Sequence, residues 1–385
     1  MKIAALLLMA AMLLAQGPQP VRSPEVHPDR SVTFRLRAPQ ATLVELTGEV
    51  VRGKGPQAMT KGSDGVWSLT VGPLTPEIWI YNFRVQGVEL PDPSNISLMP
   101  RAAGTAAVSS FVEIRGDGPL FYDARPVPHG DVRMLLYPSK TMGVDRYLWV
   151  YTPPGYDKSN TKYPAYYLLH GNGETQNGWV MNGRANIILD NLIADGKAQP
   201  MIVVMPHGHP VQSASVGPYQ EVPPVAEQGL RNYKLFTKEL LEEILPMIEK
   251  TYRVYPDADH RALGGLSMGA MQSVAIGLAH PELFHYVLAY SGGFGSLGVE
   301  SASQNVETQA PWQAVLANPA DGKKLRLLFL GCGQDEAGLL APGKKLASLL
   351  KEKGVRVEWA DHPGGHVFSV WRNHLNQSAP LLFRK

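Results

Sequence analysis

The segment Gly264-Gly265-Leu266-Ser267-Met268-Gly269 sets one hydroxyl between two glycines in the pattern G-x-S-x-G. An apolar run, Ala262 to Leu266, leads into it, and a helical pattern, Met268 to Ala279, leads out. In a strand-turn-helix setting this is the sharp turn on which a nucleophilic serine stands. Bulk two residues to either side would clash in so tight a turn, hence the glycines. The helix N-terminus that follows aims free N–H groups at developing negative charge. A small-residue turn that merely packs a helix on a sheet reads the same way, so the pattern needs chemical partners. A hydroxyl needs a base to attack at neutral pH, and the expected chain order is serine, acid, histidine. His366, in HPGGHVFSVW after the last predicted strand, fits that order, and its two preceding glycines let the loop approach the serine. His362 is its rival; His374 falls on the terminal helix and is expected in solvent. The acid should follow the strand LRLLFL, which runs into Gly331-Cys332-Gly333-Gln334-Asp335-Glu336. Spacing admits both Asp335 and Glu336, since either carboxylate can fix the imidazole tautomer and stabilise the imidazolium.

Acyl transfer also needs donors for the oxyanion. YYLLHGNGE places His170-Gly171-Asn172-Gly173 directly after a buried strand. The backbone N–H groups of Asn172 and Met268 are the expected pair, with His170 a structural ring beside them. Trp179 is expected either against the substrate or in the core, and His207, with His209 in MPHGHP, at the pocket edge. Two histidines two apart, without a third ligand at convincing spacing, do not make a metal site. No metal and no cofactor is expected.

Positioning such a set takes a layered scaffold. Tyr147–Tyr151, Tyr166–Leu169, Met201–Met205, Ala262–Leu266, Val287–Tyr290, Leu325–Leu330 and Val355–Trp359 read as strands. Helical patterns alternate with them over Ala185–Asp195, Tyr233–Lys250, Met268–Ala279 and Gly343–Lys353, the second with Leu240, Leu241, Ile244, Leu245 and Ile248 on one side. Continuous apolar strands between helices predict a mostly parallel sheet covered on both faces, an α/β-hydrolase arrangement. From Ser23 to Ile114 the texture differs. VTFRLR, VWSLTV and IWIYNFRV alternate, with turn clusters between them, and predict a small all-β sandwich ahead of the hydrolase. The expected division is a signal peptide over 1–17, the sandwich over 20–116, a linker over 117–131 and the hydrolase over 132–385.

The signal-peptide expectation rests on Lys2, the apolar stretch Ile3 to Leu14 and small residues near Ala15, and it implies a secreted or periplasmic protein. No later stretch is apolar for long enough to span a bilayer. With 36 basic and 34 acidic side chains in 385 residues, a formal charge of +2 gives no case for nucleic acid or an anionic membrane as partner. Cys332 is the only cysteine, which excludes an internal disulfide.

With these residues in place, the chain resembles the family 1 carbohydrate esterases, the esterase D or enterochelin-esterase-like group that includes feruloyl and acetylxylan esterases. The resemblance covers 132–385 and is carried by YTPPGYD, YPAYYLLHGNGE, NLIADGKAQPMIVVMPHGH, YRVYPDADHRALGGLSMGA, GCGQDEAG and HPGGHVFSVW. It implies an acid four residues after the cysteine of the G-C-G segment, which selects Glu336 over Asp335. Many relatives have Asp there, so Glu336 is a departure. The N-terminal region resembles the immunoglobulin-like early-set domain related to carbohydrate-binding module family 48, through SPEVHPDRSVTFRLRAP, MTKGSDGVWSLTVGPL and GVELPDPSN. Trp67 and Trp79 suit the sandwich core better than a sugar platform, because each lies inside an alternating strand.

The resemblance implies a serine hydrolase of feruloyl or acetyl esters on xylan, with a polysaccharide or oligosaccharide ester as its partner. Three other readings stand beside it: a siderophore trilactone esterase of the enterochelin type, an acyl transferase, and a non-catalytic glycan-binding protein on a hydrolase fold.

Overall fold

The computed structural model describes residues 20–100, 108–209, 233–294 and 306–384. The expected signal peptide lies outside the described residues. The chain divides into two compact units, the first reaching Gly118 and the second continuing from Pro119.

The first unit is all-β. One sheet runs in the order Glu25–Val26, Val32–Arg37, Val66–Val71, Thr60–Lys61; the other runs Gln57–Ala58, Val44–Gly48, Glu77–Val85, Val108–Ile114, Leu98–Pro100. Alternation decides which side chains enter the space between them. Val32, Phe34 and Leu36 from one sheet meet Val44, Leu46, Tyr81, Phe83 and Val112 from the other. Trp67 is buried in this core and donates its indole N–H to the Ala38 carbonyl; half-buried Trp79 packs at its margin and donates to Thr75. Trp67 therefore offers no free ring face as a platform.

The second unit is built on eight strands: β1 (Asp131–Ser139), β2 (Val144–Thr152), β3 (Ala165–Leu169), β4 (Ile202–Pro206), β5 (Arg261–Leu266), β6 (Tyr286–Tyr290), β7 (Leu327–Gly333) and β8 (Val357–His362). Their order in the sheet is β1-β2-β4-β3-β5-β6-β7-β8. The pairings from β4 through to β8 are parallel, while β1 with β2 and β2 with β4 are antiparallel. This is the predicted mostly parallel α/β-hydrolase sheet behind an all-β domain. β3, β4 and β6 are buried at every residue, which is why they read as unbroken apolar runs.

Helices cover both faces. Residues 233–239 and Leu245–Thr251 are α-helical, joined by a π-helical stretch over Leu240–Ile244. Phe236, Leu240, Ile244 and Ile248 pack with Val150, Tyr167, Val204 and Leu263 of the sheet. α1 (Met268–Ala279) and α2 (Ala337–Glu352) share a second apolar layer with β6 and β7, in which Val274, Leu346 and Leu350 meet Val287, Leu328 and Leu330. α3 (Phe368–Ser378) packs beside the helix Ala185–Ala194.

His374 is a correction. It was expected in solvent, but it is fully buried on α3, on the same face as Trp371, Leu375 and Ser378. Its ring lies against Tyr290, Phe329 and His362. Cys332 is also fully buried, in β7. Burial, with the nearby Glu336 and Asp361 carboxylates, pushes its thiol up to about 12. Among the described residues no helix is long and apolar enough to cross a membrane.

Candidate active site

Parallel strands end on one edge of a sheet, so the loops after them gather there. Ser267 follows β5 directly and is the first residue before α1. Its φ of 52° and ψ of −114° lie in a region that costs a non-glycine residue energy and persists only when the surroundings impose it. The surroundings do so through glycine. A Cβ on Gly265 would lie 2.5 Å from the Leu169 carbonyl oxygen, and one on Gly269 would lie 2.6 Å from that of His170. One on Gly292, after β6, would lie 2.4 Å from the Ser267 carbonyl oxygen. The turn therefore presses on three neighbouring backbones, and the Ser267 amide donates to Tyr290 across the sheet at 2.8 Å.

His366 stands in the loop between β8 and α3. Its Nε2 is 2.8 Å from Ser267 Oγ and its Nδ1 is 2.7 Å from Glu336 Oε1. Gly333 and Gly364 allow this approach: Gly364 has φ of 114°, its carbonyl accepts the Asp335 amide at 3.0 Å, and a Cβ on the facing Gly333 would lie 2.2 Å from that same carbonyl oxygen. The other expected base, His362, points to Gln377 at 3.1 Å. Of the two carboxylates, Glu336 meets the imidazole while Asp335 is exposed in solvent.

Glu336 is held from behind. Its Oε2 accepts Ser291 Oγ at 2.7 Å and the Gly333 amide at 2.6 Å. Ser291 Oγ in turn accepts the Trp371 indole N–H at 2.9 Å. Burial raises the Glu336 carboxyl, but the bonds from His366, Ser291 and Gly333 outweigh it, and the net direction is below its ordinary value. The side chain is thus kept as an acceptor-only carboxylate. Sequence reasoning missed Ser291 and Trp371. Ser291 follows the strand next to that of Ser267, and Trp371 lies five residues beyond His366, yet neither spacing forecasts their meeting.

Gly171 packs directly on the serine turn: a Cβ there would lie 3.3 Å from Ser267 Cβ and 2.5 Å from Leu266 Cδ1. Asn172 follows it and is exposed. Met268 opens α1, where the first N–H groups have no partner within the helix.

Of its two expected places Trp179 takes the core, and the expectation of His207 at the pocket edge is corrected. Trp179 is 1% exposed, its indole N–H is donated to the Leu169 carbonyl, and its ring is enclosed by Tyr290 and Phe368. His207 is 2% exposed and stacks on His170, with His209 buried beside them. These aromatics brace the loops behind the site and offer no surface to a ligand.

A serine, an imidazole and a carboxylate thus meet at the carboxyl ends of parallel strands. A family model described as putative esterase matches residues 139–382, and the chain belongs to that family. It is similar to an endo-1,4-beta-xylanase/feruloyl esterase of Xylanibacter ruminicola, 32% identical over 372 residues that cover 94% of this chain and 46% of the relative. The chain therefore spans about half the length of that relative. Among solved structures it is similar to a ferulic acid esterase at 28% identity and a TM-score of 0.53, covering 66% of this chain and 97% of the other. The enterobactin esterase of Shigella flexneri matches at 19% identity with a TM-score of 0.67, over 96% of this chain and 97% of that one, a likeness of fold.

Proposed function

We propose that this chain is an exported serine hydrolase of acyl esters on plant polysaccharides, feruloyl or acetyl esters of xylan, working through Ser267, His366 and Glu336. The observation that carries the reading is the continuous relay from Ser267 Oγ to His366 Nε2 at 2.8 Å and from His366 Nδ1 to Glu336 Oε1 at 2.7 Å. The substrate class is supported by the xylanase/feruloyl esterase relative and the ferulic acid esterase neighbour. Export is supported by the sequence of residues 1–17.

In this mechanism His366 Nε2 takes the proton of Ser267 Oγ as that oxygen attacks the ester carbonyl carbon. The N–H groups of Met268 and Asn172 receive the oxyanion. As the tetrahedral intermediate collapses, the imidazolium returns its proton to the departing sugar hydroxyl, leaving an acyl group on Ser267. Water, deprotonated by the same imidazole, then attacks the acyl carbonyl, and as the second tetrahedral intermediate collapses the imidazolium returns that proton to Ser267 Oγ and the free acid leaves. Glu336 stays ionised throughout and stabilises the imidazolium.

The test is turnover of p-nitrophenyl acetate by wild type and Ser267→Ala, followed by release of ferulate and acetate from arabinoxylan. Equal rates for the two proteins would remove the serine-hydrolase reading. Hydrolysis of a catecholate trilactone, with arabinoxylan left untouched, would move the substrate to a siderophore.

A further inference from the structure

Behind the serine turn lies a buried ring that the steps above do not use. His170 follows β3 directly and is 1% exposed. Its Nδ1 lies 2.8 Å from the Gly171 carbonyl oxygen, and its Nε2 lies 2.9 Å from the Gly208 amide nitrogen. A carbonyl can only accept and an amide N–H can only donate. The two partners therefore fix the tautomer: Nδ1 carries the hydrogen and Nε2 presents its lone pair. Burial favours the same neutral ring, lowering the imidazole to about 3.

The ring is braced in turn. His207 stacks on it with centroids 5.2 Å apart. Arg146 of β2 donates to the His207 carbonyl at 2.5 Å, and Gln272 of α1 donates to the Gly208 carbonyl at 3.0 Å. His170 is thus a strut between the loop after β3 and a loop after β4 that is itself tied to β2 and α1.

The Gly171 carbonyl belongs to the same peptide unit as the Asn172 N–H. In a planar trans peptide these two groups point in opposite directions, so a bond that fixes one fixes the other. We infer that His170 is a positioning residue for the oxyanion site: its Nδ1–H holds the Gly171–Asn172 peptide with the N–H of Asn172 turned toward the ester oxygen at Ser267. The only other bond to that carbonyl among those described is the longer one from the Glu174 amide, at 3.3 Å, so loss of the His170 bond weakens the hold on the peptide and lets it tilt a carbonyl dipole toward the place where the oxyanion forms. The inference rests on the oxyanion role given above to Asn172.

The side-chain nitrogen of Asn stands near the place of Nδ1, and the amide of Gln near the place of Nε2. His170→Asn therefore keeps a donor for the Gly171 carbonyl. His170→Gln keeps a partner for the Gly208 amide and loses that donor. Both are assayed on p-nitrophenyl acetate, with unfolding midpoints measured alongside. His170→Gln is expected to lose kcat about 10²-fold with KM within about threefold, while His170→Asn stays within about tenfold of wild type. Inhibition by a phenylboronic acid, which forms a tetrahedral adduct on serine, should weaken in step with kcat.

Equal kcat in the two variants, or losses that follow the unfolding midpoints instead of the donor, overturn the inference. Nitrogen NMR of the wild-type imidazoles supplies a readout that needs no variant: a His170 protonated at Nε2 at neutral pH overturns it as well. Ser267→Ala separates the two levels. If it is as active as wild type, the oxyanion reading fails and takes this inference with it. If it is inactive while the two His170 variants match wild type, this inference alone fails.

Discussion

Trp371 stands edge-on to the imidazole of His366, with centroids 4.9 Å apart and an interplanar angle of 90°, and the same indole donates its N–H to Ser291. One side chain thus limits the swing of His366 and orients the hydroxyl that holds Glu336. Ser291→Ala removes the hydroxyl from Glu336 Oε2 and leaves the Gly333 amide alone there. The expected loss is about tenfold in kcat, the worth of one hydrogen bond to a charged group. KM should be little changed. Trp371→Phe keeps the ring contact and loses the N–H, and should cost less than Ser291→Ala. Steady-state kinetics on a chromogenic ester check both, and a raised KM with unchanged kcat in Ser291→Ala contradicts the positioning role.

Glu336→Gln tests the acid more sharply than removal does. Ser291 and the Gly333 amide both donate at Oε2, so the amide oxygen must face them. The NH2 group then faces His366 Nδ1 and forces the hydrogen onto Nε2, where the base should be. A fall in kcat of about 10³–10⁴-fold is expected, with the fold retained. Asp335→Asn, on an exposed side chain, should keep nearly full activity. The opposite ranking would transfer the role to Asp335.

Gly265→Ala places a methyl against backbone on two sides, 2.5 Å from the Leu169 carbonyl oxygen and 2.9 Å from the Gly269 carbonyl carbon. Neither neighbour can swing away as a flexible side chain would. The expected cost is about 2–3 kcal/mol of stability, with activity lost as the turn shifts. A urea melt and an ester assay read the two effects. Wild-type values in both would mean that the turn is looser than described.

Stability should fall with acid well before the carboxylates titrate. His170 and His374 are lowered to about 3 and His209 to about 4, each chiefly by burial. The unfolded chain binds protons at these rings from about pH 6.5 downward, and the folded chain refuses them until about pH 4–3. The stability they contribute is therefore complete above pH 6.5 and lost as pH falls from there toward 3. Each ring adds a slope of at most about 1.4 kcal/mol per pH unit within that window. Urea unfolding at pH 7.5, 6.0 and 5.0 measures the slope. A midpoint that does not change between pH 7.5 and 5.0 would mean that these rings are not held neutral.

The elements nearest the chemistry were the most legible in sequence. G-x-S-x-G carries its own steric reason, and of the two glycines ahead of His366 it is Gly364, with φ of 114°, that the turn requires. The sheet was legible because strands buried on both faces need continuous apolar residues, as AYYLL and YVLAY have. The acid was not legible from spacing: Asp335 and Glu336 are neighbours, and what separates them is the cradle of Ser291 and Gly333, which only folding assembles. His207 was misread for a related reason, since a conspicuous residue near a site in sequence can lie behind it in space, and Trp179 could be placed in the core only as one of two alternatives. His374 was misread although its spacing from Trp371 and Ser378 places it on their helix face; its polarity had suggested solvent. Ser291 gave no signal at all, because its partners lie 45 and 80 residues away.

The closed setting of Cys332 has a practical side. Maleimides and related reagents attack the thiolate, and a thiol pushed up to about 12 and shut inside β7 presents almost none at neutral pH. The chain is therefore expected to resist such reagents at neutral pH, and the check is the absence of maleimide uptake by the folded protein. A cysteine introduced at a chosen surface position would be the one site to take a fluorophore or spin label, and loop movements during turnover could be followed without first altering the native sequence.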